Sequence, residues 1–323
     1  MPLPNLTRGR HPRVFNSVTT QTNKMDTPQH KAGFVNIVGN PNVGKSTLMN
    51  RLVGERMSII TPKAQTTRHR ITGIVNAPDY QIVFSDTPGV LKPRYKMQEA
   101  MLNFSEGALT DADILLYVTD VIEDPEKNAE FLAKVAKEKV PVLLVINKID
   151  LIKGDGSDLN RIVAEWQTRL PMAEIFPISA AENFNTNNLM HRIIELLPPC
   201  PPYFGKDALT DKPARFFVTE IIREKILENY DKEVPYSTEV IVEKFDEKES
   251  SIHIMAVVYV ERDSQKGILI GRRGAMLKKV GMAARKDIEA FFGKNVFIEI
   301  FVKVEPNWRN RENKLKAFGY IQN

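Results

Sequence analysis

Gly39-Asn40-Pro41-Asn42-Val43-Gly44-Lys45-Ser46 is the stretch that decides how this 323-residue chain is read. The eight residues fit G-x-x-x-x-G-K-[ST], with Thr47 continuing the same turn. An apolar, β-branched run at 34–38 precedes them and a helical pattern over 45–53 follows. In that setting the glycines let backbone N–H groups turn inward, and the helix N-terminus adds a field that favours anions. Lys45 is then expected to reach the β and γ oxygens of a nucleotide, and Ser46 to ligate Mg²⁺.

Outward from this loop, strand-like runs recur at 71–76, 81–85, 114–119, 141–146 and 174–178. Helical patterns at 97–109, 125–137, 159–170 and 187–197 separate most of them. Such alternation predicts an α/β P-loop NTPase domain with a mostly parallel sheet and helices on both faces. The runs 71–76 and 81–85, joined across Pro78-Asp79, read instead as a hairpin. Pro198-Pro199-Cys200-Pro201-Pro202 stops the last helix, because proline lacks the N–H and clashes with the preceding turn. Beyond it come a helix (214–229), strands at 237–245 and 252–261, two helices and a strand at 296–304. That order is an α+β unit with its own core. The expected division is an extension over 1–32, a nucleotide domain over 33–197, a Pro-rich linker over 198–213 and a second domain over 214–323.

Composition excludes more than it asserts. The net charge is +5, but residues 1–32 hold Arg8, Arg10, Arg13, Lys24 and Lys31 against Asp26 alone, leaving +1 for the rest. The overall basicity is therefore no argument for nucleic-acid binding; only local clusters are. A single cysteine, Cys200, permits no intrachain disulfide and suits a reducing cytoplasm. The longest apolar run, at 140–146, falls far short of the ~20 residues of a membrane-spanning helix. The basic tail has no amphipathic period, so it reads as a disordered extension, or as sequence upstream of a true start at Met25.

Three further motifs follow in order. Asp86-Thr87-Pro88-Gly89 closes the second hairpin strand, where an acid can hold Mg²⁺ through water and the Gly89 N–H can meet the γ-phosphate. Asn147-Lys148-Ile149-Asp150 follows an apolar strand. Guanine presents two adjacent donors that the Asp150 carboxylate can accept, whereas adenine would leave it desolvated without partners. Lys148 can cover one face of the base, Asn147 can tie this loop to the phosphate loop, and Ser179-Ala180 would place a backbone N–H at guanine O6. GTP and GDP are the nucleotides expected.

The polar, cationic segment 58–70 lies between phosphate loop and metal strand. A threonine from it, Thr66 or Thr67, with Thr67 preferred, would join the Mg²⁺ shell only when a γ-phosphate is present. Val90 stands where many small GTPases carry a glutamine that orients water, and valine can neither donate nor accept. Hydrolysis would rest on Lys45, Thr67 and Asn42, whose carbonyl could hold K⁺ against the phosphates; the equal alternative is that Asn42 caps a turn. Slow intrinsic turnover is expected.

In the second domain, Gly271-Arg272-Arg273-Gly274 lies between two helices, and residues 264–286 carry seven basic side chains and no acid. Glycines admit a nucleic-acid backbone, and Lys266, Arg272, Arg273, Lys278 and Lys279 can meet phosphates. Bases would lie in an apolar groove lined by Ile268, Ile270 and Leu277. Trp308 could stack on a base or anchor the C-terminal segment in the core.

Taken together, Gly39 to Ser46, Lys63 to Arg70, Asp86 to Gly89, Asn147 to Asp150, Gln265 to Lys279 and Val302-Lys303-Val304 before Trp308-Arg309 make the chain resemble the Era family. These are bacterial GTPases joining a Ras-like G domain to a type II KH domain. The resemblance implies binding to the 3′ end of 16S rRNA, assistance in 30S subunit maturation, and nucleotide-gated access to RNA. It also implies a cytoplasmic protein with peripheral contact to the inner membrane; a monomer is expected. Ser179-Ala180 continues as Ala181-Glu182-Asn183, where relatives carry leucine and glycine, and the tail 1–32 has no family counterpart. The competing readings are a KH protein with a merely structural nucleotide site, and a GTPase of another RNA pathway.

Overall fold

The computed structural model describes residues 29–154 and 156–321. The expectation for the tail falls mostly on residues 1–28, outside the described residues. Six strands form the first sheet: β1 (Lys31–Gly39), β2 (Ile71–Asn76), β3 (Tyr80–Asp86), β4 (Ile114–Asp120), β5 (Val142–Asn147) and β6 (Glu174–Pro177). Their order is β2-β3-β1-β4-β5-β6. β2 pairs antiparallel with β3 and every other pairing is parallel. The helices are α1 (Lys45–Val53), α2 (Lys96–Thr110), α3 (Ala129–Val135), α4 (Ser157–Arg169) and α5 (Thr186–Leu196). Central strands covered on both faces must be apolar throughout, and β4 is buried at every position. α3 is shorter than the pattern over 125–137, because Asn128 enters the left-handed region (φ 58°) and starts the helix late.

The second domain holds α6 (Ala214–Asn229), β7 (Glu239–Glu247), β8 (Ser251–Val260), α7 (Asp263–Ile270), α8 (Ala275–Phe292) and β9 (Asn295–Val304). β8 is central, antiparallel to β7 and parallel to β9. Alternate residues of β8, Ile252, Ile254, Ala256 and Val258, enter a core with Val280, Ala284 and Ile288 of α8. A last short helix, α9 (Glu312–Ala317), had no strong sequence signal.

Residues 198–213 link α5 to α6 without regular structure and lie against the first sheet. The Cys200 N–H donates to His30 O, Ile74 N–H to Leu209 O, and Thr210 Oγ1 to Thr72 O, so the segment is strapped along the hairpin edge. Its prolines remove donors, but its remaining groups complete an otherwise unpaired strand. The two domains meet in a small apolar cluster of Met97 and Met101 from α2 with Trp308, Leu315, Phe318 and Tyr320. Trp308 is fully buried and its Nε1 donates to Ser237 O at 3.0 Å. It anchors the C-terminal segment, which removes the base-stacking alternative.

Candidate nucleotide and RNA sites

The phosphate loop runs from the end of β1 to α1, and beside it lies a cavity of about 340 Å³. Pro41, Asn42, Gly44, Lys45, Ser46 and Thr47 form its floor, with Thr67, Gly89 and Lys148 at its margins. Ile59, Ile60 and Pro62 form a wall that no sequence motif indicated. Lys45 is buried and its Nζ donates to Gly39 O (3.1 Å) and Asn40 O (2.8 Å). Burial lowers its pKa to about 8, opposed by the charge of Asp86. Polyphosphate oxygens would restore the charged form.

Asp86 sits fully buried at the end of β3, and burial raises its pKa despite Lys45. Its Oδ2 accepts from Ser46 Oγ at 2.7 Å and Thr67 Oγ1 at 3.2 Å, while Oδ1 is buried without a partner among the described residues. Ser46 and Thr67 hydroxyls lie 2.9 Å apart. One carboxylate with an orphaned buried oxygen, and two hydroxyls, are a hard-oxygen donor set that fits Mg²⁺. Ser46 and Thr67 would hold the ion directly and Asp86 through water; its chemistry would be to neutralise charge on the β and γ oxygens. Thr66 instead donates to Lys63 O at 2.5 Å and meets Thr61, so of the two threonines Thr67 faces the ion site.

On the base side, Asn147 Nδ2 donates to Val43 O at 2.9 Å, joining the guanine loop to the phosphate loop. Lys148, in the left-handed region, bonds Asn42 O (2.5 Å) and Asp120 (2.6 Å). Asp150 is exposed in the turn Ile149–Leu151, open to a base. The Ala180 N–H, expected at guanine O6, donates here to Asn147 Oδ1 at 3.0 Å, so it orders the Asn147 amide. Thr87 Oγ1 donates to Ile37 O, Pro88 O accepts from Ser105, and the Val90 side chain is buried in the core. Asn42 is exposed in the turn of the phosphate loop with φ 67°, and its side chain has no hydrogen-bond partner among the described residues.

The segment holding Thr67 is gripped by the second domain. Arg223 of α6, paired with Glu220, donates to the carbonyls of Gln65 and Thr66. Lys63 Nζ bonds Tyr230 O and Asp231. Arg68, fully buried, donates to Thr238 O (2.6 Å), Pro235 O (2.9 Å) and Glu239 (3.3 Å).

The G-x-x-G turn joins α7 to α8 with Gly271 at φ 70° and Gly274 at φ 78°; a Cβ on Gly271 would lie 2.7 Å from Met276. Arg272, Arg273, Lys278 and Lys279 are exposed, and among the described residues none of them is in an ion pair. Lys266 is half-buried on α7. The groove beside the turn, about 520 Å³, lies between α8 and β9 and is lined by Gly274, Leu277, Gly281, Met282, Phe297 and Ile300. Of the three apolar residues expected there, Leu277 lines it. Ile268 is exposed on α7 outside it, and Ile270 packs at the margin of the domain core. Phe297 was missed, although its exposure follows from the period-two alternation of β9.

A phosphate loop, a hard-oxygen ion site and a guanine loop on one sheet, with a G-x-x-G unit docked beside them, define a P-loop GTPase carrying a KH domain. Residues 34–148 match the 50S ribosome-binding GTPase family model and residues 233–309 the KH domain model. The chain is similar to Aquifex aeolicus Era bound to GDP·AlF4⁻: 37% identity, 90% of this chain, 100% of that one and a TM-score of 0.86. A structure of Era with MgGDPNP and nucleotides 1506–1542 of 16S ribosomal RNA matches at 37%, covering 91% and 100%, with a TM-score of 0.86. The chain belongs to the Era family of GTPases.

Proposed function

We propose that this chain is a GTP-hydrolysing switch that binds the 3′ end of 16S rRNA and assists maturation of the 30S subunit. The observation that carries the reading is the grip of α6 on the Thr67 segment, through Arg223 to the Gln65 and Thr66 carbonyls. A group that faces the γ-phosphate site on one side and the KH domain on the other gives nucleotide state a route to RNA affinity. The RNA component is supported by the complex of the Era relative with 16S rRNA nucleotides, and by the exposed cations at the G-x-x-G turn, which pair with no acid among the described residues. Against a merely structural nucleotide site stand Lys45 and Asp86, both buried in environments that disfavour their charged forms. A site without a ligand to neutralise would carry that cost for nothing.

The same reading includes K⁺ held by the Asn42 side chain over the phosphates, supplying positive charge where Val90 offers none. It puts a monomeric protein in the cytoplasm, with peripheral contact to the inner membrane; the single cysteine supports the compartment. The test is the affinity for a 16S 3′-end oligonucleotide with a non-hydrolysable GTP analogue and with GDP. Tighter binding with the analogue, lost when Arg272 and Arg273 are both changed to Ala, is the expected result. Equal affinity in both nucleotide states would remove the switch.

A further inference from the structure

Val90 cannot orient water with its side chain, so whatever this segment contributes must come from its backbone. That backbone is held at both ends. The Val90 N–H donates to Gly39 O at 3.1 Å, and the Val90 carbonyl accepts from Asn128 Nδ2 at 2.9 Å. The other hydrogen of the same Nδ2 goes to Asn40 Oδ1 at 2.5 Å. Asn40 is buried, its Nδ2 reaches Lys127 O at 3.3 Å, and its carbonyl accepts from Lys45 Nζ at 2.8 Å. Lys45 Nζ also donates to Gly39 O at 3.1 Å, which closes a ring through Lys45, Asn40, Asn128, Val90 and Gly39.

A nucleotide's phosphates would compete for the Lys45 ammonium, whereas the two Asn128 bonds involve no charged group that they can draw away. Asn128 joins the phosphate loop to the segment after Gly89 whether or not Lys45 is engaged elsewhere. The tolerance there is small: a Cβ on Gly89 would lie 2.6 Å from Pro41 Cα. Asn128 is also placed for the task by its backbone, since φ 58° and ψ 38° is a conformation asparagine and glycine accept more readily than other residues.

We propose that Asn128 is a positioning residue for GTP hydrolysis, a clamp that sets the Val90 backbone against the phosphate loop through Asn40. It touches no reacting atom. Its partners lie beside the groups expected to do so: Asn40 belongs to the phosphate loop, and Val90 follows Gly89, whose N–H would meet the γ-phosphate.

Asn128→Gly tests this with little backbone strain, because glycine takes the left-handed conformation and lacks the amide. Single-turnover hydrolysis is expected to fall about tenfold, the scale of one misplaced hydrogen-bonded contact in a transition state, with GDP affinity and melting temperature close to the parent. Asn128→Asp keeps the shape but turns an oxygen toward the two acceptor oxygens, so its loss should be larger. Parent-like hydrolysis in Asn128→Gly would overturn the clamp. So would a parallel fall in GDP affinity and melting temperature, which marks a purely structural role. The proposal rests on the chain turning over GTP; a parent protein without turnover would fail that premise, and an unaffected variant fails the clamp alone.

Discussion

Arg68→Ala removes the most deeply buried link between the two domains. The guanidinium is fully buried and donates to the carbonyls of Thr238 and Pro235 and to the Glu239 carboxylate. Glu239 in turn accepts from Tyr320 Oη at 2.6 Å, and burial raises its pKa even with Arg68 beside it. Deleting the cation strands a buried carboxylate and two carbonyls. Removing one partner of a buried pair costs about 3–5 kcal/mol, roughly 150- to 4,000-fold in the docking equilibrium. Trp308 lies in the interface with Met97 and Met101, so its fluorescence reads docking in a Trp166→Phe background. The urea midpoint followed by Trp308 should drop by the equivalent of that range in Arg68→Ala. Arg68→Met with Glu239→Gln removes both charges and should recover at least half of the loss. A shift below about 0.5 kcal/mol, or a double variant no better than the single one, would refute the buried-charge reasoning.

Three other outcomes are expected. Gly89→Ala should weaken GTP-analogue binding by at least about tenfold and GDP binding less, measured with fluorescent nucleotides, because the new Cβ would lie 2.6 Å from the Pro41 backbone. Asp150→Asn should shift preference from guanosine toward xanthosine triphosphate by about 100-fold or more, read by competition binding; unchanged selectivity removes Asp150 from its role. His69, packed among Phe104, Phe216 and Tyr320, has its pKa pulled by burial from 6.5 to about 4. The folded state therefore resists a proton that the unfolded chain accepts, so stability should fall as pH drops from 6.5 toward 4. His69→Gln should flatten that slope in denaturant midpoints taken across the range.

Much of the nucleotide site was legible because its determinants are local. A strand, a glycine turn and a helix start form within a dozen residues, and the guanine loop needs only the end of one apolar strand. The same holds for the G-x-x-G turn between α7 and α8. Thr67 was preferred over Thr66 from the sequence, but separating them took the hydrogen bonds that turn Thr66 back onto Lys63. Trp308 left two readings open because a tryptophan near a chain end carries no signal of which surface will cover it. The prolines of 198–213 announce a break in regular structure, which holds, but not where the segment lies: its Ala208 and Leu209 carbonyls accept from Asn76 and Ile74 of the edge strand, 132 and more positions away.

Short stretches of the chain settle which chemistry it can do. The identities of Lys45, Ser46, Asp86 and Asp150 and their order along alternating strands and helices follow from short-range sterics and periodicity. Tertiary structure alone decided what is coupled to that chemistry. Asn128 meets Val90 and Asn40 across 38 and 88 positions, and Arg68 meets Thr238 across 170. An asparagine amide or a buried guanidinium can satisfy many acceptors, so its partner is chosen by the packing that brings distant backbones together, and no local pattern records that choice.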